Sequence, residues 1–187
     1  MVGAVRDAER SDAALLRAAR FGDTDAFGAI VERHGPGMRR YARFILGDED
    51  DAADATQEAL VSAWRGLGTF RGESSLRTWL FTLVSRRAAD LQRRRRPVPV
   101  EEQQLEQRLP AAPDTASGTA VEAELLEALR SALQELPWRQ RACWLLRELE
   151  GLSYDEIAAT VGVTSGQVRG YLHRGRATLA ERMEPWR

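Results

Sequence analysis

Between Thr164 and Ala180 the chain carries three arginines and one histidine and no carboxylate. Guanidinium groups on one helix can fork onto phosphate oxygens and guanine edges, where an acid would repel the nucleic-acid backbone. At 100° per residue, Val168, Leu172, Gly175 and Leu179 share one stripe, and Gly166, Gly170, His173, Arg174 and Ala177 gather opposite it. One face packs and the other looks outward, so the chemistry on offer is non-covalent reading of DNA. His173 has no second His, Cys or carboxylate on its face of the helix, and it reads as a DNA-facing polar residue rather than a metal ligand.

Such a helix needs a partner to hold it. Ser153 with Glu156, and Thr164 with Gln167, each have the S/T-x-x-E/Q spacing of a capping box, which satisfies amide groups left unpaired at a helix start. Two short, separately capped helices broken at Gly162 and Val163 match a helix-turn-helix, whose second helix lies in the major groove. A plain helical hairpin with a solvated arginine face is the blander reading of the same pattern.

The 187 residues are 43% hydrophobic and 29% charged, as in a soluble globular protein of one or two small domains. No apolar run approaches the ~20 residues needed to cross a bilayer, and the first twelve residues lack the apolar centre of a signal peptide. A cytoplasmic protein without membrane insertion is expected. The single Cys143, within RACWLLREL, reads as a buried helical thiol, with no disulfide and no Cys-based zinc site.

A net charge of -1 hides strong blocks. Residues 1–69 hold 9 Arg and 12 acids, 70–96 hold 8 and 2, 97–128 hold 1 and 7, and 129–187 hold 9 and 7. Helical spacing fills residues 12–95, with breaks expected at Gly22, Gly35 to Gly37, Gly47 and Gly68 to Gly72. In Asp51–Leu67, one stripe of Ala52, Ala55, Ala59, Leu60, Ala63, Trp64 and Leu67 reads as core. A long helix starts near Ser74 or Ser75 and runs to the arginines 93–96, where Pro97 stops it.

The expectation is an all-α chain of two small helical domains joined by a flexible linker, the second containing the helix-turn-helix. Residues 1–11 form a tail, 12–96 the first domain, 97–119 an acidic linker with four of the seven prolines, and 120–187 the second domain. No metal cluster, phosphate-cradling Gly loop or nucleophile near a base is visible, so neither catalysis nor a cofactor is expected.

Three stretches together carry a resemblance: DEDDAADATQEALVSAW, FRGESSLRTWLFTLVSRRAADLQRRRR and LPWRQRACWLLRELEGLSYDEIAATVGVTSGQVRGYLHRGRATL. In this order they closely resemble a bacterial RNA polymerase sigma factor of the sigma-70 family, in the short extracytoplasmic-function (ECF) group. The resemblance implies a first domain (region 2) that binds core polymerase and melts the minus-ten element, and a second (region 4) that reads the minus-thirty-five element. The partners it implies are the polymerase clamp helices and flap, promoter DNA and an anti-sigma factor.

Carried onto this chain, it places Asp54, Gln57 and Glu58 against the clamp helices. The loop Arg71, Gly72, Glu73, Ser74 and Ser75 would hold a base flipped from the non-template strand, with Arg86, Arg87, Arg93 and Arg94 near the same DNA. Trp79 has two readings, a base-stacking ring or a core residue, and its spacing with Leu80, Leu83 and Val84 favours core. Thr164, Ser165, Gly166, Gln167, Arg169, Gly170, Tyr171, His173, Arg174 and Arg176 would face the upstream element. The chain departs from the family pattern at Arg86, commonly Asn, and at Gly170 and Tyr171, where Ser and Arg are usual. The alternative function is a stand-alone helix-turn-helix regulator.

Overall fold

The computed structural model describes residues 10–95 and 120–186, which form eight α-helices and two short 3-10 turns. The tail as far as residue 9 and the linker expected at 97–119 lie outside the described residues. The first half folds as α1 (Asp12–Arg20), α2 (Thr24–Leu46), α3 (Glu49–Gly66) and α4 (Leu76–Arg95), with the turn Leu67–Thr69 after α3. Aspartates begin α2 and α3: Asp23 accepts from the Ala26 amide at 3.0 Å and Asp48 from the Asp51 amide at 2.9 Å. Leu15, Ile30, Met38, Ile45, Leu80 and Val84 close the core between these helices. Tyr41 meets Phe81 edge-on at 5.8 Å, and the Ser85 hydroxyl donates to the buried Tyr41 oxygen at 2.8 Å.

Two expectations fail here. The break expected at Gly35 to Gly37 is absent, and α2 runs straight through Pro36. Its buried stripe of Ile30, His34, Met38, Tyr41, Ala42 and Ile45 spans both sides of the proline, so packing outweighs the helix bond that proline cannot make. The stripe on α3 is also narrower than its periodicity suggests. Ala52, Ala55, Ala59 and Ala63 are buried, but Trp64 remains 39% exposed.

The second half comprises α5 (Ala120–Glu135), α6 (Trp138–Glu148), α7 (Tyr154–Val161) and α8 (Ser165–Arg182) around Leu133, Leu145, Leu146, Ile157, Val168 and Leu172. Cys143 is fully buried on α6, and burial pushes its thiol pKa up to about 12.

The two halves touch along a polar seam. Glu150 is 5% exposed and takes Arg40 on one carboxylate oxygen at 2.6 Å and Arg77 on the other at 2.7 Å. Gly37 makes room for it, since a Cβ there would lie 3.2 Å from Oε2. The buried Arg141 guanidinium donates to the carbonyls of Ile45 at 2.9 Å, Gln134 at 2.9 Å and Leu136 at 3.1 Å. Burial lowers its pKa to about 10, leaving it charged at neutral pH. Gln134 donates to the Phe44 carbonyl at 2.8 Å, and Thr78 to Glu156 at 2.7 Å.

Candidate nucleic-acid interface

Both capping boxes form. Ser153 accepts from the Glu156 amide at 3.3 Å while Glu156 accepts from the Ser153 amide at 2.9 Å, and Thr164 and Gln167 repeat the arrangement at 3.2 and 2.9 Å. Between them Gly162 takes φ +71°, a left-handed conformation that favours glycine, and its amide closes α7 onto the Ala158 carbonyl at 2.9 Å. These local contacts aim α8.

Val168, Leu172, Gly175 and Leu179 are buried, and Gly166, Arg169, His173, Arg174 and Ala177 are exposed on the other face. Gly170 and Tyr171 are half-buried. The Arg174 guanidinium lies 5.4 Å from the centre of the Tyr171 ring, so the tyrosine helps to hold this arginine in place. A Cβ on Gly170 would stand 3.4 Å from the Arg174 Nη1. Not every polar residue on α8 is equally available. Arg176 pairs with Glu148 at 2.6 Å, Ser165 bonds Asp155, and Thr164 and Gln167 serve the cap.

A different surface lies between the Leu67–Thr69 turn and the start of α4. Thr69, Phe70, Arg71, Glu73, Ser74 and Trp79 line a cleft of about 380 Å³. Ser75 rather than Ser74 caps α4, its hydroxyl accepting from the Thr78 amide at 3.0 Å. Arg71, Gly72 and Glu73 are exposed on the loop, with Gly72 at φ +75°. Trp79 is neither wholly core nor free. It is half-buried, stacks on Phe70 at 4.7 Å with 31° between the rings, and forms one wall of the cleft. Thr69 and Phe70 were missed in the sequence, where only the loop and Trp79 stand out; Phe70 lies just before the loop, and its partner is nine residues on.

Along α4, Arg86, Arg93 and Arg94 are exposed, Arg93 pairing with Asp90, while Arg87 is drawn to Glu58 at 2.6 Å. On α3, Asp54, Gln57 and Glu58 are exposed together. Beside them runs an apolar groove of about 470 Å³, lined by Phe27, Thr56, Gln57, Leu60, Val61 and Trp64. Among the described residues no group of three or more His, Cys, Asp or Glu is placed to hold a metal ion, and no helix is long and apolar enough to cross a membrane.

An exposed helix face in one half and an aromatic-walled cleft in the other are the two surfaces set apart on this chain. The family models for sigma-70 region 2 and sigma-70 region 4 match residues 30–98 and 126–179. The ECF RNA polymerase sigma factor SigM of Mycobacterium tuberculosis is 37% identical over 172 residues, covering 92% of this chain and 84% of that protein. The chain belongs to the sigma-70 family, in its ECF group, and is a sigma factor that directs RNA polymerase to promoters. The ECF sigma-E factor of Escherichia coli is 30% identical over 189 residues, covering 94% of this chain and 95% of that protein. The fold is similar to that of CnrH in complex with the cytosolic domain of CnrY, with a TM-score of 0.70 at 29% identity over 93% of this chain and 97% of that one. It is also similar to the sigma factor RpoE of Bartonella quintana in complex with the anti-sigma factor NepR, with a TM-score of 0.67 at 25% identity over 84% of this chain and 96% of that one.

Proposed function

We propose that this sigma factor reads the minus-thirty-five element with the outward face of α8 and traps the opened minus-ten strand at the Phe70–Trp79 cleft. The observation that carries this reading is the presence of both surfaces in one chain, one suited to duplex and one to an unstacked base. On α8, Arg169, His173 and Arg174 face the groove edges, with Arg176 and the residues Thr164 to Gln167 nearer the backbone. Below the cleft, Arg86, Arg93 and Arg94 attract the strand's phosphates. Arg87 joins them when it leaves Glu58.

Trapping a flipped base needs no bond chemistry, only binding that offsets lost stacking, so the protein acts as a specificity subunit in the cytoplasm rather than as an enzyme. Core polymerase engages the α3 face. Asp54, Gln57 and Glu58 form a polar rim and the neighbouring groove an apolar centre, the usual build of a protein interface. An anti-sigma factor is the proposed partner, as in the similar complex of RpoE with NepR.

Two elements named for positions 25 base pairs apart lie about 85 Å apart on straight duplex at 3.4 Å per pair. Two touching domains of about 28 Å diameter each cannot span that. The seam at Glu150 therefore parts when both elements are held. Run-off transcription with purified core polymerase and genomic fragments tests the reading. Promoter-dependent transcripts are expected, and tight DNA binding by the free protein without any such transcript would overturn it. Asp54→Arg should weaken core binding about tenfold, a 1.4 kcal/mol effect, and unchanged affinity would remove that face from the interface.

A further inference from the structure

The cleft beside Trp79 is held in shape by a residue from a distant part of the chain. Arg20 ends α1, and its Nε donates to the Leu67 carbonyl at 2.9 Å across 47 residues of sequence. Its guanidinium carbon lies 6.0 Å from the centre of the Phe70 ring. Phe70 stacks on Trp79, and beside Trp79 lies Gly66, where a Cβ would come within 3.2 Å of the indole Cζ2. The groups form one cluster of glycine backbone, indole, phenyl ring and guanidinium. Three stretches of chain meet in it, and only the two rings line the cleft.

We propose that Arg20 is a positioning residue for capture of an unpaired nucleobase in this cleft. It pins the turn Leu67–Thr69 through one hydrogen bond and steadies the Phe70 ring through its cation, so that the aromatic wall keeps one orientation. This rests on the proposed reading of the cleft as the strand-trapping site. A base entering the cleft meets the side of this aromatic pair together with the polar groups of Thr69, Arg71, Glu73 and Ser74, and it binds well only if the pair keeps its place. Arg20 also sits in the last turn of α1, where a cation is favoured by the helix dipole alone, so the test must separate that structural role from capture.

Holoenzyme assembled with core polymerase is titrated with the non-template minus-ten strand of a promoter found by run-off transcription, with an abasic site placed at each position in turn. For the unaltered protein, one position is expected at which removing the base weakens binding about tenfold or more. In Arg20→Met, which keeps the stem and loses both contacts, that penalty falls below about threefold, while affinity for the abasic strand and for core polymerase is unchanged. A purely structural role moves all these affinities together, and that result overturns the proposal, as does a full abasic penalty in Arg20→Met. Absence of any penalty in the unaltered protein sinks the cleft reading itself and Arg20 with it. Phe70→Leu supplies the second arm: if Arg20 acts through Phe70, Arg20→Met adds nothing in that background, and additive losses overturn the proposal. Should Arg20→Met fail to fold, Arg20→Leu, which also loses both contacts, is read in the same way.

Discussion

The two surfaces proposed to meet DNA in this sigma factor are built by different means. The start of α8 is set by contacts three or four residues apart, a cap at Thr164 and a left-handed glycine at Gly162, and one apolar stripe then seats the helix on α6 beside Gly175. The cleft beside Trp79 depends on contacts up to 47 residues apart, joining α1, the turn after α3, a loop and α4. A local surface can be altered one residue at a time and still be presented. A distributed one rests on remote residues, and so would tie the proposed strand capture to the packing of the whole first domain.

The seam tests how far that distributed construction extends, and the largest effect is expected there. Arg141→Met fills the same volume but leaves the carbonyls of Ile45, Gln134 and Leu136 without their donor in a buried place. A loss of about 3 kcal/mol in unfolding free energy is expected, measured as a fall in the urea midpoint. A change under about 1 kcal/mol would mean that water replaces the guanidinium and that the halves are only loosely joined.

The next effect compares the two surfaces directly. Arg174→Ala should cost about 1–3 kcal/mol in binding to upstream duplex if the arginine contacts a base, or lower the salt slope by about one if it contacts phosphate. Trp79→Ala should cost about 1–3 kcal/mol in binding to the opened strand. Each change should leave the other measurement intact. If Trp79→Ala also weakened upstream binding, the separation into two surfaces would fail.

This division explains what was legible beforehand. The all-helical class, the helix-turn-helix and both capping boxes follow rules that operate within one or two turns, and residues such as Ser153, Glu156 and Gly162 state them openly. The uninterrupted α2 was not legible, because Pro36 is locally a breaker and its tolerance comes from partners on other helices. Glu150 reads as one more acid in RELEGLS until folding brings Arg40 and Arg77 to it. The cleft was half legible: loop and tryptophan stand out, but Phe70 and Arg20 acquire meaning only from what they touch.

The capping boxes sharpen the local side of the comparison. Ser153→Ala and Thr164→Ala should each cost about 1 kcal/mol of stability, by loss of the hydroxyl that accepts a helix amide. Urea midpoints check the total, and hydrogen exchange places it: the first change should expose amides of α7 and the second those of α8. Protection lost equally in both helices would show that the motif opens as one unit.

The smallest effect distinguishes the boxes by charge. Glu156 has its pKa held below the ordinary 4.5, first by the Ser153 amide and then by the Thr78 hydroxyl, both of which bond the ionised carboxylate. A carboxylate depressed by folding binds protons more readily when unfolded. Its contribution to stability is therefore fully present above 4.5 and is lost as pH falls through the lower folded value. Gln167 makes the equivalent bond in the second box with no charge to titrate, so the same motif contains its own control. Below about pH 4.5, α7 should lose hydrogen-exchange protection before α8, and Glu156→Gln should remove that order while keeping the cap geometry. Because Thr78 belongs to the first domain, acid also loosens one bond of the seam, so a distributed contact here hangs on a local cap. If α7 and α8 lost protection together in both proteins, the acid response would belong to other carboxylates and the coupling of cap to seam would be excluded.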